Sequence, residues 1–339
     1  MTVGLVIVVA ALVYLQFREW KEFNWSVFLT YTRTLAWGHL LIATTLIYLA
    51  YVVRALRWRI FLQSTCQTSV RRLLPPTLIG FTGLALLGRP GELLRPYLIS
   101  RREGLPFSSQ LAVWTVERLF DTGSFTIIIG LGILFAADAP GLPYVTRYRQ
   151  VGLLITMAVA VLSVFMFLLR RNAERATAVV RGAVARIAPR LADKISQRMH
   201  SFGEGLNTIS GPGSFASLIA LSLLMWLMIA AAFWQVIRAY PEPLRNLSTS
   251  HVLLLLGFGI VGSLVQLPMV GGGSQLATIA AMVHVFKVPN ELALSCGMML
   301  WLVTFFAVTP VGLWLAHRER ISFHVVARSM EKTGMSASA

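Results

Sequence analysis

Charged residues interrupt an apolar stretch in the run Gly88-Arg89-Pro90-Gly91-Glu92-Leu93-Leu94-Arg95. Its two glycines and its proline break the backbone, so we expect a helix to begin at about Glu92 with free N–H groups facing a cavity. Arg89 and Arg95 flank this helix end, and guanidinium donors beside a helix N-terminus favour a phosphate group. Glu92 would hold the arginines or contact a cationic headgroup. The alternative is an internal ion network that only satisfies the charges of a broken helix.

A second charged group, Glu117, Arg118 and Asp121, follows within the next apolar segment. Charges in such a segment are costly and by default face a cavity or a partner. Spacings of three and four residues allow all three side chains to lie on one side of a helix. We interpret them either as an ion network that changes its pairing between two states or as a static clamp onto the first broken segment. An arginine at 89 or 95 would neutralise their net negative charge.

A glycine-rich turn late in the chain is the counterpart of the first motif. It contains Pro268, Gly271, Gly272, Gly273, Ser274 and Gln275. The three glycines allow close approach of a ligand to the backbone, and Ser274 and Gln275 supply uncharged hydrogen-bonding groups. Without a charge, this turn predicts a weaker headgroup site. The alternative is that the glycines serve only tight helix packing.

The composition indicates a membrane protein. Of 339 residues 56% are hydrophobic and only 13% charged, against about a quarter charged in soluble domains. Two cysteines and the lack of clustered metal-ligand spacings exclude a disulfide framework and a zinc site, and we expect no cofactor or metal. The net charge of +16 flanks apolar segments, which favours anionic lipid headgroups over nucleic acid as partners.

Apolar runs predict an all-α membrane protein with about six spanning helices, since a span needs about 20 apolar residues. The predicted spans are 3–17, 36–53, 107–137, 151–169, 215–237 and 292–316. Two further apolar segments, 73–100 and 251–286, are interrupted by proline and glycine. We interpret each as a re-entrant helical hairpin, because such breaks are tolerated at membrane depth only beside protein or a cavity.

The chain reads as one membrane domain, 1–320, in two halves of about 36–137 and 214–316. A cytoplasmic amphipathic connector at 170–210 joins them, and a tail follows at 321–339. Placing both termini in the cytoplasm puts 21 of the 30 Lys and Arg residues inside. A constant offset of 183 residues aligns Gly88 with Gly271 and Glu92 with Gln275, which is typical of the inverted repeats of transporters.

The order of the motifs GRxGExxR and ERxxD, with the late glycine turn, resembles the lysylphosphatidylglycerol synthase transmembrane region family, also called flippase-like. The sequence departs from the commoner family form in having Gln275 where an acidic residue follows the glycines. The resemblance implies a lipid translocase fold of the bacterial inner membrane. A soluble aminoacyl transferase domain, as in two-part relatives, would not fit after the last span, so we do not expect an enzyme.

The resemblance and the charged motifs together predict a flippase-like protein that translocates a phosphate-bearing lipid between leaflets. The lipid would be an aminoacyl-phospholipid or a related anionic or polyprenyl-phosphate lipid. Its headgroup would contact Gly88, Arg89, Gly91, Glu92 and Arg95, while Glu117, Arg118 and Asp121 would switch. The alternative is a non-transporting membrane partner that presents a lipid to a separate synthase or glycosyltransferase.

Overall fold

The computed structural model describes residues 24–135, 211–263 and 272–319, together with Gln150 and Met157. Over these ranges the chain is helical with short connections and contains no strand. The α-helices are α1 (Trp25–Arg33), α2 (Trp37–Leu62), α3 (Val70–Leu87), α4 (Leu94–Glu103), α5 (Phe107–Phe135), α6 (Pro212–Arg238), α7 (Thr249–Gly262), α8 (Gly272–Ala280), α9 (Asn290–Trp301) and α10 (Thr309–Arg318). The predicted spans 3–17 and 151–169, the connector 170–210 and the tail 321–339 lie outside the described residues.

Four helical segments of the described chain are long and apolar enough to cross a membrane. They are α2, α3, α6 and the continuous segment Asn290–Arg318, in which α9 and α10 are joined by a π-helical turn, Leu302–Phe306. Helix α5 has 29 residues, which also suffices to span, but it carries the three charges of the ERxxD motif. The all-helical prediction is confirmed, and of the predicted spans residues 37–53, 107–135, 215–237 and 292–316 are helical.

Helix α3 continues through Pro75 and Pro76, although the sequence analysis took these prolines as breaks. Proline removes a backbone donor and so leaves the carbonyl four residues earlier without its partner. Here those carbonyls belong to Arg71 and Arg72, which are exposed in the first turn. The break falls instead at Gly88, whose φ of 70° ends the helix before a short 3₁₀ helix, Arg89–Leu93.

The two long helices α2 and α6 lie side by side in opposite directions. At one end Gln63 Oε1 accepts a hydrogen bond from Ser214 Oγ at 3.4 Å. At the other end the Ala36 backbone N–H donates to the Ala239 carbonyl at 3.1 Å. We name these the Arg72 end, which also holds residues 63–72, 101–105 and Glu319, and the Tyr240 end, which also holds residues 34–39, 239–251 and 286–295.

Each interrupted segment returns to the end at which it began. The first hairpin, formed by α3, the 3₁₀ helix and α4, closes where Arg72 Nε donates to Glu103 Oε1 at 3.2 Å. The second hairpin consists of α7, α8 and the π-helical turn Ala281–Val285, and it closes where the rings of His251 and Phe286 lie 5.0 Å apart. The first hairpin therefore starts and finishes at the Arg72 end, and the second at the Tyr240 end.

The two halves therefore share one element order and run in opposite directions. In each half a long helix is followed by a hairpin and then by another long helix. In each hairpin two glycines also come into close contact. A methyl group on Gly91 would overlap the Gly83 carbonyl, and one on Gly262 would overlap the Gly273 carbonyl. This arrangement agrees with the inverted repeat proposed from the sequence.

Candidate functional site

The charged residues of the first half converge from three elements. Arg54 and Arg57 lie three residues apart on α2, so they share a helix face. Glu117 and Asp121 lie four residues apart on α5 and face them. Arg95 comes from the first turn of α4, at the tip of the first hairpin. Packing of α2, α4 and α5 thus brings residues that are distant in sequence into one buried ion network.

Asp121 is the carboxylate shared by the two arginines of α2. Its Oδ1 accepts a hydrogen bond from Arg57 Nη1 at 2.6 Å, and its Oδ2 lies 3.4 Å from Arg54 Nη1. Arg57 is fully buried, and its guanidinium also contacts Glu117 and the Met225 sulfur, the latter at 3.3 Å. Removing either the arginine or the carboxylate from such a buried network is costly, because it leaves an uncompensated charge in the interior.

Arg95 is buried and forms a two-point ion pair with Glu117. Its Nη1 lies 3.2 Å from Glu117 Oε1, and its Nη2 donates to Oε2. The guanidinium carbon sits 4.4 Å from the ring centre of Trp58, which adds a cation–π contact. A methyl group on Gly80 would collide with the backbone and Cβ of Arg95, so the glycine lets α4 approach α3.

Arg118 is the member of the network that reaches an open cleft. Its Nη2 lies 3.1 Å from Glu92 Oε2, and the side chain of Arg118 is 39% exposed. The first cleft encloses about 210 Å³ of empty space, part of it open to the surroundings. It is lined by Gly80, Phe81, Leu84, Glu92, Arg95, Trp114 and Arg118.

Two residues that line the first cleft each carry a buried donor that has no hydrogen-bond partner among the described residues. These donors are the Nε–H of Arg118 and the indole Nε1–H of Trp114. Most buried polar groups in native proteins are paired, and an unpaired one costs about 1–3 kcal/mol. Donors of this kind beside a cleft match a ligand that brings acceptor oxygens.

The network carries an excess of positive charge at depth. Four arginines, at 54, 57, 95 and 118, face three carboxylates, at 92, 117 and 121. Arg54 precedes the last residue of α2 by eight positions, which places it about 12 Å along the helix from the Arg72 end. A net cationic group at this depth favours an anion entering from that side.

The structure brings five of the predicted site residues together. Glu92, Arg95, Glu117, Arg118 and Asp121 all belong to the network. Gly88 and Gly91 form the hairpin tip together with Arg89, whose side chain lies outside the described part of the structure. The neutralisation of the ERxxD acids by Arg95 agrees with the sequence analysis.

The structure differs from the predicted site in three details. The α-helix begins at Leu94, so Glu92 lies in the preceding 3₁₀ turn and not at a helix start. Arg118 pairs with Glu92, and Asp121 pairs with the arginines of α2, because tertiary contacts override the spacing along α5. The predicted span 36–53 ends before Arg54 and Arg57, so the sequence places both among the basic residues that follow a span, whereas both are buried in the structure. Their three-residue spacing, which places both on one helix face, is the sequence signal that they could share one buried partner.

The second-half turn is described from Gly272 onward, so Pro268 and Gly271 lie outside the described residues. Gly272 and Gly273 begin α8. Ser274 and Gln275 line a second cleft with about 470 Å³ of empty space, again partly open. Among the described residues no group of three His, Cys, Asp or Glu side chains is placed to hold a metal ion.

Comparison with known proteins agrees with this architecture. A family model described as the lysylphosphatidylglycerol synthase TM region matches residues 1–312. A curated relative from Methanothermobacter thermautotrophicus, described as a UPF0104 membrane protein, is 24% identical over 269 residues, 77% of each chain. No solved structure matches. With its apolar helices, the chain is a multi-pass membrane protein.

Proposed function

Since the chain belongs to the lysylphosphatidylglycerol synthase transmembrane region family, we propose that it moves a phosphate-bearing lipid between the two leaflets of a bilayer. The lipid would be an aminoacyl-phospholipid, a related anionic phospholipid or a polyprenyl phosphate. The chain would perform no chemistry on it. The protein would reside in a bacterial-type inner membrane with both termini in the cytoplasm.

One observation carries the proposal. The first cleft exposes part of an ion network that has surplus positive charge and two unpaired buried donors, on Trp114 and Arg118. A phosphate offers several acceptor oxygens and negative charge, so it satisfies both features at once. A lipid headgroup entering the membrane loses hydration, and groups at this depth replace part of it.

The pairing in the network suggests how binding is coupled to movement. A phosphate that contacts Arg118 competes with Glu92 for the same guanidinium. Release of Glu92 would remove one of the two ion pairs that tie the tip of the first hairpin to α5 and leave that of Arg95 with Glu117. Arg89 and Arg95 would then join the phosphate contacts as the hairpin shifts. The switching role of Glu117, Arg118 and Asp121 belongs to the same step.

The proposal is tested by reconstitution into liposomes that contain a headgroup-labelled anionic lipid. An impermeant quencher reports exposure of the inner-leaflet label over time. Wild type is compared with Arg118→Gln and with Arg89→Ala, and Arg71→Gln is the matched control because Arg71 is exposed at the start of α3. We expect protein-dependent movement that both site variants lose and the control keeps.

Two results would count against translocation. Equal activity in wild type and Arg118→Gln would remove the first cleft from the pathway. Anionic lipid that binds with Arg118-dependent affinity but never changes leaflet would favour the second reading, a membrane partner that presents a lipid to a separate synthase or glycosyltransferase. That reading needs the same anion site and no alternation between two open states.

A further inference from the structure

The second cleft lies between α8 and the segment that joins α9 to α10. It is lined by Phe233, Ser263, Ser274, Gln275, Thr278, Gly297, Leu300, Trp301, Thr304 and Phe305. No charged side chain is among them; most of the wall is apolar, and its polar groups are hydroxyls, an amide and an indole. The cleft thus differs in chemistry from the first, which is built around arginines and carboxylates.

The two clefts are equivalent positions of the internal repeat. Five residues of the first cleft correspond to five of the second at a constant offset of 183. The pairs are Gly80 with Ser263, Glu92 with Gln275, Arg95 with Thr278, Trp114 with Gly297, and Arg118 with Trp301. Asp121 of the ion network corresponds to Thr304 in the same way. The second half therefore has a cleft at the equivalent position, and an uncharged residue stands there in place of each of these charged ones.

The polar groups of the second cleft supply both donors and acceptors. The hydroxyls of Thr278 and Thr304 donate to the backbone carbonyls of Ser274 and Leu300, at 2.7 and 2.6 Å. Their oxygens therefore remain as acceptors toward the cleft. The indole Nε1–H of Trp301, a lining residue, is buried and has no partner in the described part of the chain, so it remains as a donor. Hydroxyl groups of a ligand, which both donate and accept, match this mixture.

The aromatic side chains and the size of the second cleft also fit a ligand of this kind. Phe233, Trp301 and Phe305 present rings to the cleft, and such rings pack against the C–H faces of a sugar or a glycerol unit. Glycine at 297 replaces the bulky Trp114 of the first cleft, and the empty space is larger, about 470 Å³ against about 210 Å³. A charged headgroup would find no counter-ion among the lining residues and would have to lose its hydration.

We propose that the second cleft binds an uncharged, polyhydroxylated headgroup such as a hexose or glycerol unit. Trp301 donates a hydrogen bond to one ligand hydroxyl, and Thr278, Thr304 and Gln275 contact others. This assignment concerns a site separate from the phosphate site of the first cleft, and it stands without translocation. The same chain would then handle phosphate and polyol groups at two different places.

The test uses the full chain, purified in detergent and analysed by native mass spectrometry. The probes are monoglucosyl-diacylglycerol, diacylglycerol with the same acyl chains, and phosphatidic acid. Trp301→Phe removes the indole donor and keeps a ring, while Gln275→Leu removes the amide. Trp314→Phe is the matched control because Trp314 is exposed on α10. Methyl glucoside, added as a competitor, distinguishes recognition of the free sugar from recognition of a lipid-linked one.

We expect wild type to retain the glucolipid better than diacylglycerol, and each site variant to lower glucolipid retention about fivefold, as for one lost hydrogen bond. The control should retain it fully. Arg118→Gln should reduce retention of phosphatidic acid only, so failure of the phosphate site and failure of this one are distinguishable. Equal retention of glucolipid and diacylglycerol, or equal loss of both in Trp301→Phe, would overturn the assignment in favour of an acyl-chain site.

Discussion

Asp121 illustrates how closely the buried charges depend on one another. It is 5% exposed and faces the guanidinium groups of Arg54 and Arg57. Its removal leaves Arg54 without the carboxylate it contacts and Arg57 with Glu117 alone, and an uncompensated buried charge costs far more than the pair itself contributes. The network is therefore first a structural element, and any switching must exchange partners without leaving a charge unpaired.

We expect Asp121→Asn to lower the free energy of unfolding by about 3–5 kcal/mol. Thermal unfolding of the purified protein in one detergent measures the change. Glu319→Gln is the matched control, because its pair with Arg102 is about 30% exposed on both sides and should contribute no more than about 1 kcal/mol. Equal shifts for the two variants would contradict a buried, coupled network.

Under the proposed function, Glu92 would compete with a bound phosphate for Arg118, with which it forms an ion pair in the structure. Glu92→Gln removes the competing charge, so binding of phosphatidic acid should tighten several-fold while its movement between leaflets slows. Binding is measured by native mass spectrometry and movement by the quenching assay. A variant that binds no better than wild type would indicate that the pair is a static clamp, the other reading of the ERxxD charges.

Cys66, in the connection between α2 and α3, offers a pH-dependent measurement outside the spanning segments. Burial raises the pKa of its thiol, the Glu103 carboxylate raises it further, and Arg72 lowers it. In a Cys296→Ala background we expect the rate of maleimide labelling to rise with pH later than for a free thiol. Glu103→Gln should lower this pKa and shift the profile toward lower pH; an unchanged profile would contradict the assignment.

The hairpins are the elements that give the network its geometry. In the first, the close contact of Gly83 with Gly91 fixes the 3₁₀ helix against α3, and this positions Glu92 and Arg95 toward α5. In the second hairpin, Gly262 and Gly273 make the same kind of close backbone contact. Small residues at these points act through backbone approach, as they do between membrane helices.

Gly91→Ala should therefore destabilise the protein by about 1–3 kcal/mol, since the added methyl overlaps the Gly83 carbonyl. Glu92-dependent lipid binding should weaken with it. Gly123→Ala on α5 is the control, because a methyl there meets nothing and an alanine favours a helix by up to about 1 kcal/mol. Measured unfolding temperatures should move in opposite directions for the two variants.

The helices and the hairpin tip were largely predictable from the sequence, whereas the ion-pair partners in the site were less predictable. Apolar length located α5 and α6, and glycine and charge located the hairpin tip, because these signals are local. The extent of α2 was underestimated because Arg54 and Arg57 resemble the charges that flank a span. The partner of Arg118 was also missed, since helical spacing cannot show that the first hairpin brings Glu92 closer than Asp121.

At the scale of the whole molecule, charge distinguishes the two ends. Among the described residues the Arg72 end carries Arg59, Arg71, Arg72, Arg101, Arg102 and Arg318, and the Tyr240 end carries Arg33, Arg238, Arg245 and Lys287. The positive-inside rule favours the Arg72 end as the cytoplasmic one. The first hairpin would then enter from the cytoplasm and the second from the opposite side.

Single cysteines in a cysteine-free background test this arrangement. Gln67 and Arg101 flank the first hairpin, Asn246 and Asn290 flank the second, and all four are exposed. An impermeant maleimide added to intact cells should label the second pair and spare the first until the cells are opened. If a hairpin crossed the membrane instead, its two flanking positions would label from different sides.

Two hairpins that are built alike but charged differently would give a translocase of the proposed kind a preferred resting state. If both were held by the same contacts, the form with one open and the form with the other open would have equal free energies. In the part of the chain that the structure describes, ion pairs hold the first hairpin and uncharged groups line the cleft at the second, so under the proposed function the second would be the less costly to open. A protein that worked as proposed would therefore rest, without ligand, in the form with the second hairpin open, and a ligand that releases Glu92 from Arg118 would start the change to the other form.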